Sequence, residues 1–100
     1  MQFLVTAYDL TDEEAPRRRL AVRGAHLALV KQMTDAGLIH IAAALLDDDG
    51  NMIGSVFICE FESRREIDDW FISEPYITGK VWGKIKVEPC QIGSIFLKDK

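Results

Sequence analysis

Cysteine is scarce in this 100-residue chain: Cys59 and Cys90 are the only two, and neither has a neighbouring cysteine or histidine at zinc-ligand spacing. The scarcity excludes a disulfide-stapled scaffold and argues against a metal site. Two free thiols suit a reducing compartment, so a cytoplasmic location is expected. Positive charge is short as well. Twelve Lys and Arg against sixteen Asp and Glu leave a net charge of −4, without the basic stripe that nucleic acid or an anionic membrane surface requires. The one basic cluster, Arg17-Arg18-Arg19, follows Asp12, Glu13 and Glu14 and reads as a solvated helix start. No apolar run approaches the length that spans a bilayer. Met1 to Tyr8 is too short, and too poor in basic residues, for a signal peptide. Repeats and low-complexity tracts are missing. What is present is a composition 48% hydrophobic and 28% charged, which at this length makes one domain over residues 1–100 with a core of its own.

Residues 2–9 are rich in β-branched and aromatic side chains and predict a first strand. Residues 16–36 predict a helix that Pro16 opens, where its missing N–H needs no partner, and that Gly37 closes. Leu38–Leu46 and Asn51–Glu62 predict the two strands of a hairpin around the turn Asp47-Asp48-Asp49-Gly50-Asn51. Ser63-Arg64-Arg65-Glu66 has the S-x-x-E form of a capping box, in which each end side chain satisfies a backbone N–H. The short helix behind it sets Ile67, Trp70 and Phe71 on one face and stops near Ser73, ahead of Pro75. Residues 76–80 read as a connector. Val81, Gly83, Ile85 and Val87 alternate with Trp82, Lys84 and Lys86, the period of a half-buried strand. A last short strand is expected around Ser94 to Leu97.

The order β-α-β-β-α-β predicts an α+β fold of split βαβ type, an antiparallel sheet with both helices on one face. The third strand alternates Ser55, Phe57, Cys59 and Phe61 with Val56, Ile58 and Glu60, so neither face is wholly polar. An uncovered apolar sheet face marks an interface, and a two-fold homodimer packed face to face would cover it.

The long helix carries the most informative feature. At about 100° per residue, Leu20, Val22, Leu27, Leu29, Val30 and Met33 fan over half the circumference, as a core-facing side does. Arg19, Arg23 and His26 point into the centre of that fan. Burying such groups is costly unless partners meet them. Arg19 is expected to escape the cost by laying its stem on apolar surface and carrying its charge to water.

Val22-Arg23-Gly24-Ala25-His26-Leu27 resembles the R-x-x-H-L motif of the YciI-like (YCII-related) proteins. The run Gly54-Ser55-Val56-Phe57-Ile58-Cys59-Glu60-Phe61-Glu62-Ser63 is similar to that family's third strand and helix start. Glu74-Pro75-Tyr76, then Gly79, then Val87-Glu88-Pro89 resemble its acidic-Pro-aromatic turn and closing strand. The resemblance runs in order along nearly the whole chain. It implies a ferredoxin-like fold paired into a dimeric α+β barrel, and an active site holding the helix histidine and an acidic partner. Relatives it implies include a dehydrochlorinase of a chlorinated hydroxyhydroquinone and, in the wider barrel superfamily, muconolactone isomerases. Two positions depart from the pattern: Glu74 stands where the family usually has Asp, and Ala43-Ala44 where it often has Gly-Pro.

His26 and Glu74 are therefore the expected catalytic pair. Histidine titrates nearest neutrality and suits general acid/base work, and Glu74 would orient its ring and favour its charged form. Arg23 would bind a substrate carboxylate or a developing enolate or phenolate. Ser55 would donate a hydrogen bond, and Tyr76 or Trp82 would stack on a planar substrate; the alternative is that Ser55 is an ordinary strand residue and that both aromatics belong to the core or a dimer interface. Such a set suits elimination, dehydrochlorination or isomerisation of a small anionic or aromatic compound, with no metal and no organic cofactor. Asp35 and His40 read as structural. The alternative is a non-catalytic module that binds a small ligand or serves dimerisation. An RNA-recognition module shares the strand order, but the third strand lacks the basic-Gly-aromatic pattern on which bases stack. The expected partners are a second copy and a small molecule, with neither nucleic acid nor membrane.

Overall fold

Every second residue of β1 (Gln2–Asp9) points inward, because side chains alternate along a strand. Phe3, Val5 and Ala7 are buried, and Asp9 follows them on the same face. The computed structural model describes residues 1–97 and places β1 in the middle of a four-stranded antiparallel sheet. Its neighbours are β3 (Met52–Glu60) and β4 (Trp82–Cys90), and β2 (Ile39–Leu46) lies outside β3. Residues directly opposite one another share a face. Val5 opposes Phe57, Ala7 opposes Ser55 and Phe3 opposes Cys59, so the inner face of β3 is Ser55, Phe57 and Cys59.

Three helices supply the other layer: α1 (Ala15–Asp35), α2 (Arg64–Ser73) and α3 (Pro75–Thr78). Met33 of α1, Ile67 and Trp70 of α2 and Tyr76 of α3 join Phe3, Val5, Phe57 and Cys59 in one core cluster. The expected α+β architecture, an antiparallel sheet with its helices on one face, is present. Gly37 ends α1 as anticipated, with a φ of +79° that suits glycine. Cys59 lies inside the core, where burial pushes its thiol up to about 12, and neither it nor the half-buried Cys90 is in a disulfide.

Several local expectations are corrected. The segment from Ser94 is a 3-10 turn, Ser94–Phe96, with no strand partner. The capping box does not close: Glu66 accepts from the Glu62 N–H at 2.8 Å, while the Ser63 side chain caps nothing. The connector contains the turn of helix α3, which starts at Pro75 because Glu74 caps it. The last strand runs on to Cys90, and Pro89 is tolerated because β4 is an edge strand.

A register shift between Tyr8 and Asp9 also breaks the alternation of β4. Trp82 opposes Asp9, whereas Lys84 already opposes Tyr8. The extra residue, Gly83, turns Trp82 from the polar side of the strand into the core, where it is 6% exposed. By the same register the outer face of the sheet carries Leu4, Ile41, Leu45, Val56 and Ile58. No layer covers it, and Ile41 is 60% exposed. Among the described residues no helix is long and apolar enough to cross a membrane.

The loop from β1 to α1 is tied by an arginine fork. Arg18 donates from Nη1 and Nη2 to the two oxygens of Asp12, each at 2.7 Å, and from Nε to the Lys80 carbonyl at 2.9 Å. These bonds hold the Asp12 carboxyl well below its ordinary 3.8, at about 2. A depressed folded-state value means that the unfolded chain binds the proton more readily, so the stabilisation is full above 3.8 and is lost as pH falls towards about 2. Urea midpoints measured across that window should fall less steeply in Asp12→Asn than in the native chain. Parallel acid limbs would show that the fork does not contribute.

Candidate active site

His26 and Glu74 meet in the core. His26 comes from the buried stripe of α1, which runs Ala15, Arg19, His26, Met33. Glu74 is the N-cap of α3, with extended backbone that swings its side chain under the helix layer. Nδ1 of His26 lies 2.5 Å from Oε1 of Glu74; His26 is 5% exposed and Glu74 is fully buried. The carboxylate takes two further donors. The Tyr76 N–H reaches Oε1 at 3.1 Å and the Trp70 Nε1–H reaches Oε2 at 2.9 Å. The extra methylene of Glu over Asp is thus accommodated at hydrogen-bond distance.

Glu74 assigns the imidazole its tautomer. With Nδ1–H committed to the carboxylate, Nε2 is left as the acceptor. Nε2 has no hydrogen-bond partner among the described residues and is not occluded. His26 lines a cavity of about 180 Å³ between α1 and the strands β2 and β3.

Arg23, Ser55 and Tyr76 line the same cavity as His26, while Glu74 is not in its wall and meets it only through the His26 ring. Their roles differ from one another. Arg23 is exposed at the cavity and has neither ion pair nor hydrogen bond among the described residues. Ser55 accepts from the Trp82 Nε1–H at 3.3 Å, which leaves its own hydroxyl proton to donate. Tyr76 is corrected. Its ring is stacked on His26 at 3.7 Å between centroids and 8° between planes, and the Arg19 guanidinium stands 4.8 Å from its centroid. That face of the ring holds the histidine rather than a substrate. Burial pushes the Tyr76 phenol up, against the pull of Arg19 and Arg23, so it stays protonated at neutral pH. Trp82 is outside the cavity wall, edge-on to His26, and cannot stack on a ligand there.

Ala42, Ala43 and Ala44 of β2, among them the pair that replaces Gly-Pro, form the opposite wall. Ala42 and Ala44, opposite Phe57 and Ser55, share their inner face, and their small side chains leave the space open. His40 pairs with Glu60 at 2.8 Å and Asp35 with Lys31 at 2.7 Å, both away from the cavity. No group of three His, Cys, Asp or Glu side chains among the described residues is placed to hold a metal ion.

Arg19, which lines the cavity, departs from expectation, and its partner Asp9 was not singled out by the sequence. Arg19 does not reach water: it is 7% exposed and its Nη1 donates to both oxygens of Asp9, at 2.7 and 2.9 Å. Asp9 had a signal, since it continues the inward parity of Phe3, Val5 and Ala7. The pair is imperfect, because it uses one nitrogen rather than the two-nitrogen fork and leaves Arg19 Nε buried without a partner. Burial accordingly pushes the Asp9 carboxyl up, in spite of the arginine beside it.

Residues 1–91 match the model of the YCII-related domain. The chain belongs to the YCII-related family. It is 32% identical over 95 residues to Protein YciI of Escherichia coli, covering 89% of this chain and 95% of that one. Protein YciI of Shigella flexneri matches to the same extent. In fold it is similar to the 5-chloro-2-hydroxyhydroquinone dehydrochlorinase TftG of Burkholderia phenoliruptrix, at a TM-score of 0.80 and 25% identity, over 95% of this chain and 98% of that one. The TftG structure is a complex with 2,5-dihydroxybenzoquinone. These likenesses support the ferredoxin-like α+β fold.

Removing one partner of a buried ion pair strands the other charge, at a cost of about 3–5 kcal/mol. Arg19→Leu should therefore lose stability on that scale in urea unfolding, and the double variant Arg19→Leu with Asp9→Leu should recover part of it. A loss below about 1 kcal/mol in the single variant, the range of exposed pairs, would mean that water reaches the pair.

Proposed function

We propose that this YCII-related protein is a small-molecule enzyme in which His26 moves a proton at Nε2 while Glu74 holds its ring. The observation that carries this reading is the buried His26–Glu74 contact at 2.5 Å in a residue that lines the cavity, with no hydrogen-bond partner for the opposite ring nitrogen among the described residues. For an elimination, Nε2 takes a proton from the substrate, the released electron pair forms the new double bond, and the leaving group departs as an anion. For an isomerisation, the imidazolium returns the proton to a different carbon. Glu74 stabilises the imidazolium in either case. Arg23 meets the negative charge that builds on the substrate oxygen, and Ser55 donates a hydrogen bond.

The space limits the substrate. An apolar cavity of about 150 Å³ accepts benzene, so 180 Å³ has room for one substituted ring. Cationic Arg23 favours an anionic or hydroxylated ring. Dehydrochlorination of a chlorinated hydroxyhydroquinone, the reaction in TftG's name, fits both limits. The working form is a homodimer in which a second copy covers the apolar outer face of Leu4, Ile41, Leu45, Val56 and Ile58, as in dimeric α+β barrels.

A second reading has its own observation. Glu74 also caps α3 and bonds Trp70, so the pair has an architectural role whether or not turnover occurs. Variants separate the two. With 5-chloro-2-hydroxyhydroquinone as first substrate, His26→Gln should lower kcat about 10²- to 10⁴-fold, the usual scale for a general acid/base. 2,5-Dihydroxybenzoquinone should still bind. Native protein that binds the quinone without turning over any one-ring substrate would make this a ligand-binding module. No binding, with His26→Gln changing only the melting temperature, would leave the pair structural.

A further inference from the structure

Of the thirteen large hydrophobic side chains left exposed among the described residues, five share one groove. Tyr8, Leu10, Leu20, Met52 and Ile53 line a recess of about 770 Å³ between the start of α1 and the tip of the β2–β3 hairpin. Three more, Ile95, Phe96 and Leu97, are consecutive at the end of the described chain, with Ile95 78% and Phe96 74% exposed. Two separate apolar patches, one concave and one projecting, are each without a partner in a lone chain.

The chain cannot join them itself. β1 and β4 are antiparallel, with Gln2 opposite Cys90 and Asp9 opposite Trp82. The tail leaves the sheet beside Gln2, where the Ile92 N–H is tied to Gln2 Oε1 at 2.6 Å. The groove is at the far end of β1, about 20–25 Å away at the rise of a strand. A two-fold axis perpendicular to the strands exchanges these ends. Passing near the middle of the sheet, such an axis would bring the tail of one copy towards the groove of the other.

We propose that in the homodimer the segment Ser94–Leu97 of one copy seats Ile95 and Phe96 in the groove of its partner. The inference rests on the dimer read above. Charge agrees with it: Asp47 lines the groove, Asp48 and Asp49 extend the same turn, and none of the three has an ion pair among the described residues. Lys98 follows Leu97 directly in the sequence. The consequence reaches the site, because Arg19 and Met52 line both the groove and the His26 cavity. The partner's tail would thereby back the wall of the cavity, and each site would be complete only in the pair.

Two measurements on the full chain test this. Sedimentation velocity first reads the dimer. Isotope-filtered NMR on a one-to-one mixture of methyl-labelled and unlabelled chains then reads contacts between copies. Phe96 ring protons of one chain should show cross-peaks to the Met52 and Leu20 methyls of the other. Phe96→Asp should abolish those cross-peaks and weaken dimerisation at least tenfold, without altering the fold of the chain. A stable dimer with no such cross-peaks, or with a Phe96→Asp dimer of native affinity, would overturn the tail contact and leave the sheet-to-sheet dimer standing. A native chain that sediments as a monomer would overturn both.

Discussion

One buried carboxylate decides how the helices sit on the sheet. Glu74 receives hydrogen bonds from three places: the His26 ring on α1, the Trp70 indole at the end of α2, and the backbone of α3 at Tyr76. A carboxylate without water is tolerable only if its lone pairs are met, and here each donor comes from a different helix. Satisfying the charge therefore fixes the helices relative to one another. The same constraint fixes the His26 ring, since whatever aligns the helices also holds its Nδ1 against Glu74 in the wall of the cavity.

Much of this was legible in the residues, and the limits have physical causes. The fan of apolar side chains on α1 turned His26 and Met33 inward, because 3.6-residue periodicity reports which side of a helix faces the core, but it was drawn too wide: Leu20, Leu27 and Arg23 are exposed. It could not tell that Arg19 is enclosed, since a long side chain on an inward stripe has two solutions and the choice depends on Asp9, ten residues earlier on a strand. Trp82 was misplaced because alternation assumes an unbroken ladder, and a bulge resets the count. Tyr76 was placed at the cavity but given the wrong task. Its stacking on His26 is a contact between two helices that no local pattern encodes.

The arginines of α1 illustrate how position outranks residue type. Arg17 makes a solvent-exposed contact with Glu14, and Arg18 forms a two-nitrogen fork that ties the preceding loop. Arg19, one step further round the helix, is taken inside and meets its acid through a single nitrogen. Arg23, a turn later, is the one with no acid beside it among the described residues. Four chemically identical groups thus span the range from surface contact to buried pair to free charge at the cavity.

The bulge at Gly83 divides β4 into two stretches with opposite facing rules. Beyond it, Lys84, Lys86 and Glu88 decorate the outer side of the sheet; before it, Trp82 stands behind Ser55 on the inner side. Sequence drift along the outer stretch can remodel the surface offered to another molecule while the indole keeps its place behind the cavity. Cavity wall and outer sheet face are in this way free to diverge separately along a single edge strand.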